Sequence, residues 1–256
     1  MKIIIMKPLL IILRLPIVIL HMLIGLIIVI FFPRDNTKLT KTHYSISIFW
    51  MKILIKVFGL KVILKGKINQ NSYAYVANHI SFLDIIVLNS LLPINFIAKA
   101  EIKKWPIVGK LASKTGTLFI KRGDKEASEE IIGIMKNHID NGNKVLFFPE
   151  GRIGNGVNVK KFHSKLFNSI SYSGKKIQPI AIRYPKNYPQ DLNSDDNVTW
   201  SDDSQTLLKV GIQCLGKPST YVLVNFEKSI NTSNLSSHEI AKLSAHYVDS
   251  TLSTIA

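Results

Sequence analysis

A histidine and an aspartate stand five residues apart in the segment NHISFLD, which ends at Asp84. An apolar run precedes the segment and a helical pattern follows it, so His79 is expected in a strand-to-helix turn, where α/β folds place ligands. An acid in the first helical turn can hold one imidazole nitrogen and leave the other free as a base. Ser81 with Asp84 also resembles a helix capping box, which explains those two residues without explaining His79.

Two further apolar runs end in charged residues. GTLFIKR ends at Arg122, and a guanidinium there can bind an anionic group such as phosphate through two hydrogen bonds. FPEGR ends at Arg152 and places Glu150 after a strand, followed by Gly151, which permits a tight turn. Taken alone, the first segment also fits a strand end with solvated basic residues, and the second fits an ordinary exposed turn.

Short apolar runs alternate with helical patterns after residue 60, which indicates an α/β fold with a central, mostly parallel mixed sheet flanked by helices. The predicted strands are KVILKG from Lys61, SYAYVA from Ser72, NFIA from Asn95, TLFIK from Thr117, KVLFF from Lys144, IQPIAI from Ile177 and YVLVNF from Tyr221. The predicted helices are Ser81–Leu92, Lys125–Asn141, Phe162–Ser173 and Ser237–Leu252. The polar tract from Asn187 to Gln205 is expected to be a surface loop.

The first 60 residues are expected to form a membrane-associated helical pair, distinct from a domain over residues 61–256. The apolar stretch from Leu15 to Phe32 approaches the ~20 residues that cross a bilayer. No small-residue cleavage site follows it, which favours an uncleaved anchor over a signal peptide. Tyr44 to Leu60 has the pattern of an interfacial helix with Trp50 at headgroup depth; a helix packed on the core of the domain is the alternative.

Composition narrows the classes of function. The 256 residues carry a net charge of +16 and are 46% hydrophobic, which excludes a disordered chain and favours attraction to anionic membranes. The single cysteine, Cys214, excludes an internal disulfide and indicates a small buried side chain. The basic residues are scattered among apolar ones, which argues against nucleic-acid binding. The histidines lack the spacing of a metal hydrolase.

Four segments in this order resemble one family. NHISFLD, GTLFIKR, FPEGR and the apolar strand IQPIAI, with its central Pro179, are similar to the motifs of glycerolipid acyltransferases of the lysophosphatidate acyltransferase group, the first being the H-x-x-x-x-D motif. FIAKAEIKKWPIVG is also similar, and the resemblance covers residues 50–183. Arg152 stands where the family usually has threonine, so the acceptor lipid stays open.

The resemblance implies transfer of a fatty acyl group from acyl-CoA or acyl carrier protein to the hydroxyl of a lysolipid, with no further cofactor. The acceptor implied first is 1-acyl-sn-glycerol-3-phosphate, which gives phosphatidic acid; a lyso-ornithine lipid or another lysophospholipid is the alternative. His79 would be the general base, and Asp84 would orient its imidazole. A non-catalytic basic membrane-binding protein is the rival class, and it leaves His79 with Asp84 unexplained.

The resemblance also assigns expected substrate contacts. Arg122 and Lys99 would bind the phosphate of the lysolipid. Glu150 would hydrogen-bond the glycerol or hold an arginine, Arg152 included, and Gly151 would shape the turn. Backbone amides near Gly116 or at the helix start would hold the tetrahedral oxyanion. The protein would sit at the membrane with its catalytic domain facing the cytoplasm, where the thioester donors are.

Overall fold

The computed structural model describes residues 2–31, 40–121, 123–154, 156, 158–199 and 206–254. Its helices are α1 Lys2–Phe31, α2 Lys41–Val57, α3 Leu83–Leu91, α4 Val108–Lys114, α5 Lys125–Asp140, α6 Leu207–Leu215 and α7 Ser237–Thr254, with 3₁₀ helices at Ala100–Lys104 and Ser164–Ser169. Its strands are β1 Leu60–Gly66, β2 Ser72–Ala77, β3 Asn95–Lys99, β4 Leu118–Ile120, β5 Val145–Phe147, β6 Lys176–Arg183, β7 Pro185–Asn187, β8 Asp191–Ser194, β9 Thr220–Phe226 and β10 Ile230–Asn231.

Within these described residues, eight strands form one mixed sheet in the order β1-β9-β6-β2-β5-β3-β4, with β10 beside the start of β6. The five strands from β6 to β4 are parallel to one another, whereas β9 runs antiparallel to β6 and carries β1 parallel to itself. The predicted α/β class with a mostly parallel mixed sheet is confirmed, and each of the seven predicted strands is present.

Several local predictions are wrong. The helix expected over Phe162–Ser173 is a 3₁₀ turn of six residues, and the short helices α4 and α6 were not predicted. The tract from Asn187 contains the end of a β7–β8 hairpin, while its last residues, 200–205, lie outside the described part. β6 is an interior strand, and its Pro179 lies between the residues paired with β10 and those paired with β9.

Each face of the sheet is covered by its own apolar cluster. One face packs against α3, α6 and the inward sides of α1 and α2. The other packs against α5, α7 and the second 3₁₀ helix. Cys214 is fully buried in the first cluster, and burial raises the pKa of its thiol to about 12, so it acts as a small apolar side chain.

The N-terminal helix α1 lies along the rest of the protein. Arg14 donates hydrogen bonds to the carbonyl oxygens of Leu215 (3.1 Å) and Lys217 (2.5 Å) just after α6. Further along α1, Gly25 leaves room for Trp50 of α2 and Leu111 of α4. The part of α1 from residue 6 to residue 31 is long and apolar enough to cross a membrane, and 11% of its most apolar window is buried inside the protein.

The second helix combines the two interpretations left open by the sequence. Residues of α2 such as Leu54 and Ile55 pack onto the apolar core, as the core-packing alternative predicts, and Phe49 on another face is exposed. Trp50 stacks its ring on His21 of α1 with centroids 3.7 Å apart, and its expected place at headgroup depth stays a prediction. The division of the chain at residue 60 stays a prediction.

Candidate active site

The carboxyl ends of the parallel strands β2, β5 and β3 meet at one edge of the sheet. His79 comes two residues after β2, Glu150 comes three residues after β5, and Lys99 is the last residue of β3. Because parallel strands end at the same edge, three segments far apart in the chain deliver their polar side chains to one place.

The turn after β2 is fixed by two side chains, Asn78 and Asp84, that hydrogen-bond to backbone groups. The Asn78 amide donates to the carbonyl oxygen of Ile182 (2.9 Å) and accepts from the Ile182 N–H (2.8 Å), which extends the pairing of β2 with β6 beyond the strand. Asp84 then reaches back and accepts from the N–H groups of Ile80 (2.8 Å) and Ser81 (3.1 Å). The hydrogen bond from the Ser81 N–H to the Asp84 carboxylate is one half of the predicted capping box. The same carboxylate also holds the ring of His79.

His79 and Asp84 form a hydrogen-bonded pair. The imidazole Nδ1 lies 2.7 Å from the carboxylate Oδ2, and the Asp84 side chain is fully buried while 19% of the His79 side chain is exposed. The second carboxylate oxygen accepts from the Tyr184 hydroxyl at 2.7 Å. Burial and the Asp84 charge raise the pKa of Tyr184 well above its usual value, so the phenol keeps its proton and donates.

This arrangement prepares the outer nitrogen of the ring. With Nδ1–H donated to Asp84, the neutral imidazole carries its lone pair on Nε2, which has no hydrogen-bond partner among the described residues. The ring also stacks on Phe148, with centroids 4.0 Å apart and planes 15° from parallel. Its orientation is therefore fixed by one hydrogen bond and one aromatic contact, and Nε2 is available to accept a proton.

The loop after β5 holds the backbone of His79. The buried Glu150 carboxylate accepts from the N–H of His79 at 3.2 Å through Oε2 and from the N–H of Lys160 at 3.1 Å through Oε1. The N–H of Gly154 donates to the carbonyl oxygen of His79 at 2.6 Å. Desolvation raises the pKa of Glu150, and the two N–H donors work against that rise. Glu150 thus braces the backbone of His79, a role the sequence did not predict.

Gly151 adopts a φ of +71°, a conformation that glycine reaches without steric cost, and its N–H donates to the carbonyl of Phe148 (3.3 Å). This is the tight turn expected at FPEG. The turn brings Phe148 over the His79 ring and points Glu150 inward, so one short segment supplies both supports.

A cationic cleft of about 850 Å³ opens beside Phe148, between the ends of β3, β4 and β5 and the start of α5. Its basic lining residues are Lys99, Arg152, Lys160, Lys161, His163 and Lys165. Glu150 is the one acidic residue among the described lining, and its oxygens already accept backbone N–H groups. The cleft therefore presents uncompensated positive charge next to His79, which suits an anionic ligand.

Not every predicted residue lies at this edge. Gly116 precedes β4 and its carbonyl accepts from Asn95 at the start of β3, so it lies at the amino edge of the parallel strands, opposite His79. The structure therefore does not bring Gly116 to the site. In the turn before α3, the N–H groups of Ile80 and Ser81 are occupied by Asp84, and the expected oxyanion donors after Ser81 stay a prediction. Arg122 lies outside the described residues.

A Glu150→Gln variant tests the bracing role. The amide nitrogen it introduces would face one of the two backbone N–H donors, so we expect a loss of about 1–3 kcal/mol in the free energy of unfolding. Because one of those donors belongs to His79, the turnover of the folded fraction should also fall, by roughly tenfold. Glu227→Gln is the matched control: Glu227 accepts from Asn225 and Thr251 away from the site. Both of these donors share one oxygen of Glu227, which glutamine retains, so the control should leave turnover unchanged; equal turnover in both variants would contradict the brace.

Comparison with known proteins finds similarity to acyltransferases. A family model described as Acyltransferase matches residues 59–183. The 1-acyl-sn-glycerol-3-phosphate acyltransferase of Helicobacter pylori is 30% identical over 209 residues, which cover 71% of this chain and 85% of that protein. The lyso-ornithine lipid O-acyltransferase of Pseudomonas aeruginosa is 35% identical over 149 residues, covering 58% of this chain and 57% of that protein.

Other matches are shorter or concern the fold. The 1-acyl-sn-glycerol-3-phosphate acyltransferase of Neisseria gonorrhoeae is 37% identical over 126 residues, or 49% of each chain. This chain thus spans about half the length of several curated relatives that it matches. The crystal structure of the 1-acyl-sn-glycerophosphate acyltransferase from Thermotoga maritima superposes with a TM-score of 0.69 at 19% identity, covering 97% of this chain and 95% of that one.

Proposed function

Since this chain belongs to the acyltransferase family that includes the 1-acyl-sn-glycerol-3-phosphate acyltransferases, we propose that it transfers a fatty acyl group from a thioester to the hydroxyl of a lysophospholipid. One observation carries the proposal. The hydrogen-bonded pair of His79 and Asp84 lies beside a cationic cleft, at the edge of the sheet where the parallel strands end. A non-catalytic membrane-binding protein has no need of a buried carboxylate that fixes one imidazole tautomer.

The chemistry follows from the geometry of the pair. A hydroxyl is a weak nucleophile at neutral pH, and the free Nε2 of His79 takes its proton as the oxygen attacks the thioester carbonyl. Asp84 stabilises the imidazolium that forms and does not itself become protonated. The tetrahedral intermediate then collapses, the carbon–sulfur bond breaks, and the leaving thiolate receives the proton from His79. The products are an ester and a free thiol, and no cofactor beyond the donor is needed.

The charge of the cleft favours a phosphate-bearing acceptor, with 1-acyl-sn-glycerol-3-phosphate as the proposed substrate. Lys99 and Arg152 line the cleft from the ends of two neighbouring strands and suit a phosphomonoester. Arg122 remains a proposed phosphate contact on sequence grounds. An ornithine headgroup carries an ammonium, and the described lining offers it no carboxylate that is free of other hydrogen bonds. The similarity to lyso-ornithine acyltransferases keeps that lipid as the second candidate.

The purified protein in vesicles should therefore release free thiol from acyl-CoA or acylated carrier protein when 1-acyl-sn-glycerol-3-phosphate is added. Parallel reactions with lyso-ornithine lipid and other lysophospholipids identify the preferred acceptor by kcat/KM. Failure to consume thioester with any of these acceptors would contradict the proposed function. A preference for lyso-ornithine lipid would contradict the acceptor and retain the reaction.

The cations of the cleft have a separate test. We expect Lys99→Ala and Arg152→Ala each to raise the KM for the phosphate-bearing acceptor by roughly 10–100-fold, because each removes a charge-assisted hydrogen bond. Lys65→Ala is the matched control, since Lys65 is an exposed lysine of β1 at the far side of the sheet. An acceptor KM that is the same in all three variants would contradict phosphate binding in the cleft.

The position of α1 in the bilayer and the side that the catalytic domain faces are also proposals. From Lys7, which packs against Gly216, to Gly25, α1 follows the protein for about 27 Å. A helix that crossed the bilayer at right angles would draw that flank of the protein into the hydrocarbon, so we propose that α1 lies within one leaflet. The catalytic domain then faces the cytoplasm, because the thioester donors are made there.

A further inference from the structure

A short basic segment connects the cleft to α1. The first 3₁₀ helix begins immediately after Lys99 in the cleft and ends at the exposed turn Trp105–Pro106, and α4 follows. Four exposed lysines accompany a single acid, Glu101, in this segment: they are Lys103, Lys104, Lys110 and Lys114. The Trp105 side chain is 38% exposed although it is large and aromatic. Neither the proposed catalysis nor the core explains why it points outward.

The turn is held in a strained conformation. Ile107 has φ 60° and ψ −65°, which a β-branched residue adopts only where its surroundings impose it. The N–H of Val108 donates to the carbonyl of Pro106 (2.6 Å), and the N–H of Gly109 donates to that of Trp105 (3.0 Å). A side chain at Gly109 would meet the carbonyl oxygen of Lys103 at 2.4 Å, so the two halves of the turn are in close contact. The fold thus keeps Trp105 outside at a cost in backbone strain.

The turn adjoins the apolar helix α1. Leu111 of α4 packs where Gly25 of α1 leaves space, so the turn lies next to the C-terminal half of α1. That half exposes large apolar side chains, namely Leu23, Ile24, Ile27, Ile30 and Phe31. An exposed tryptophan among lysines, adjoining an apolar helix, is the composition of a surface that sits at the headgroup level of a bilayer.

We propose that this Trp105 turn, residues 103–110, is a membrane anchor that binds an anionic leaflet and sets the mouth of the cleft at the headgroups. The proposal rests on the proposed function, because it concerns how the lysolipid reaches the site. The 3₁₀ helix between Lys99 and Trp105 is about 10 Å long, so an anchored Trp105 holds the phosphate contact within one headgroup layer of the membrane. The lysines supply the preference for anionic lipid, and α1 supplies most of the apolar burial.

Tryptophan fluorescence measures the depth of the turn without catalysis. The unchanged protein and a Trp105→Phe variant are bound to phosphatidylglycerol-containing vesicles with or without bromine near the headgroup end of the acyl chains. The difference between the two proteins isolates the emission of Trp105 from that of the other tryptophans, and we expect bromine to quench it. An unquenched Trp105 contribution would overturn the anchor, whatever the enzyme does.

Charge and activity give the second readout. With lysolipid embedded in anionic vesicles, Trp105→Ala should raise the surface KM about tenfold, and Lys103→Glu with Lys104→Glu should raise it about fivefold for each lysine. Both should leave kinetics with a short-chain, freely dissolved lysophosphatidate unchanged. Tyr172→Ala and Lys242→Glu, exposed residues on the α7 side, are the matched controls. Equal effects on embedded and dissolved acceptor, or equal rates on zwitterionic and anionic vesicles, would contradict the proposal.

Discussion

A His79→Ala variant is expected to lose roughly 10²–10⁴-fold in kcat, the contribution of a positioned general base. The reason is geometric: Nδ1 is committed to Asp84 at 2.7 Å, the ring is stacked on Phe148, and Nε2 is the atom left to receive the proton. Removing the ring leaves the thioester bound beside an unactivated hydroxyl. The measurement is release of free thiol by the purified protein in lysolipid-containing vesicles, at saturating donor and acceptor.

Folding and membrane binding serve as controls for this variant. His79 stands in a turn outside the helices and strands, so the circular dichroism spectrum and vesicle association should match those of the native protein. His246→Ala, which removes an exposed histidine of α7, should keep the native rate. A His79→Ala protein that turns over as fast as His246→Ala would refute the assignment of the base.

Replacing Asp84 by asparagine is expected to reduce kcat by about 10²–10⁴-fold as well. The buried carboxylate accepts from His79 on one oxygen and from Tyr184 on the other, and asparagine can offer an acceptor on one side alone. Either the imidazole loses its tautomer or a donor is left facing the amide nitrogen. We therefore also expect a loss of about 1–3 kcal/mol in the free energy of unfolding.

Tyr184→Phe separates these two effects. It removes one neutral hydrogen bond to Asp84 and leaves the carboxylate, its charge and its contact with His79 in place. Stability should fall by about 1 kcal/mol and kcat by less than tenfold. Kinetics and urea unfolding of the two variants side by side give the answer. Should Asp84→Asn retain the kcat of Tyr184→Phe, the carboxylate would be a structural residue with no part in proton transfer.

The pair of His79 and Asp84 was predictable because it is local. Five residues separate the two side chains, and an acid in the first turn of the following helix can turn back to the ring. The apolar runs that became β2 and β5 were equally plain, since a strand buried on both faces has no polar residues in its interior. Short-range pattern therefore predicted the contact between His79 and Asp84 and the edge of the sheet where they lie.

The supports of the pair depend on contacts across the chain, which no local pattern contains. Tyr184 reaches Asp84 from 100 residues away, and Glu150 reaches the His79 backbone from 71 residues away. Gly116 was misplaced for a reason that strand direction explains: it precedes its strand, whereas His79, Glu150 and Lys99 follow or end theirs. The stacking of Trp50 on His21 joins two helices that are 29 residues apart in the chain, and the sequence did not predict it.

Rescue of the His79→Ala protein by added imidazole tests the central claim most directly, because it replaces the proposed proton acceptor and nothing else. The account predicts that free imidazole restores part of the lost acyl transfer, in proportion to the concentration of its neutral form, and that the ester product remains the same. If the His79→Ala protein already transfers acyl groups at the native rate, and added imidazole increases that rate no further, a histidine base at this site is contradicted.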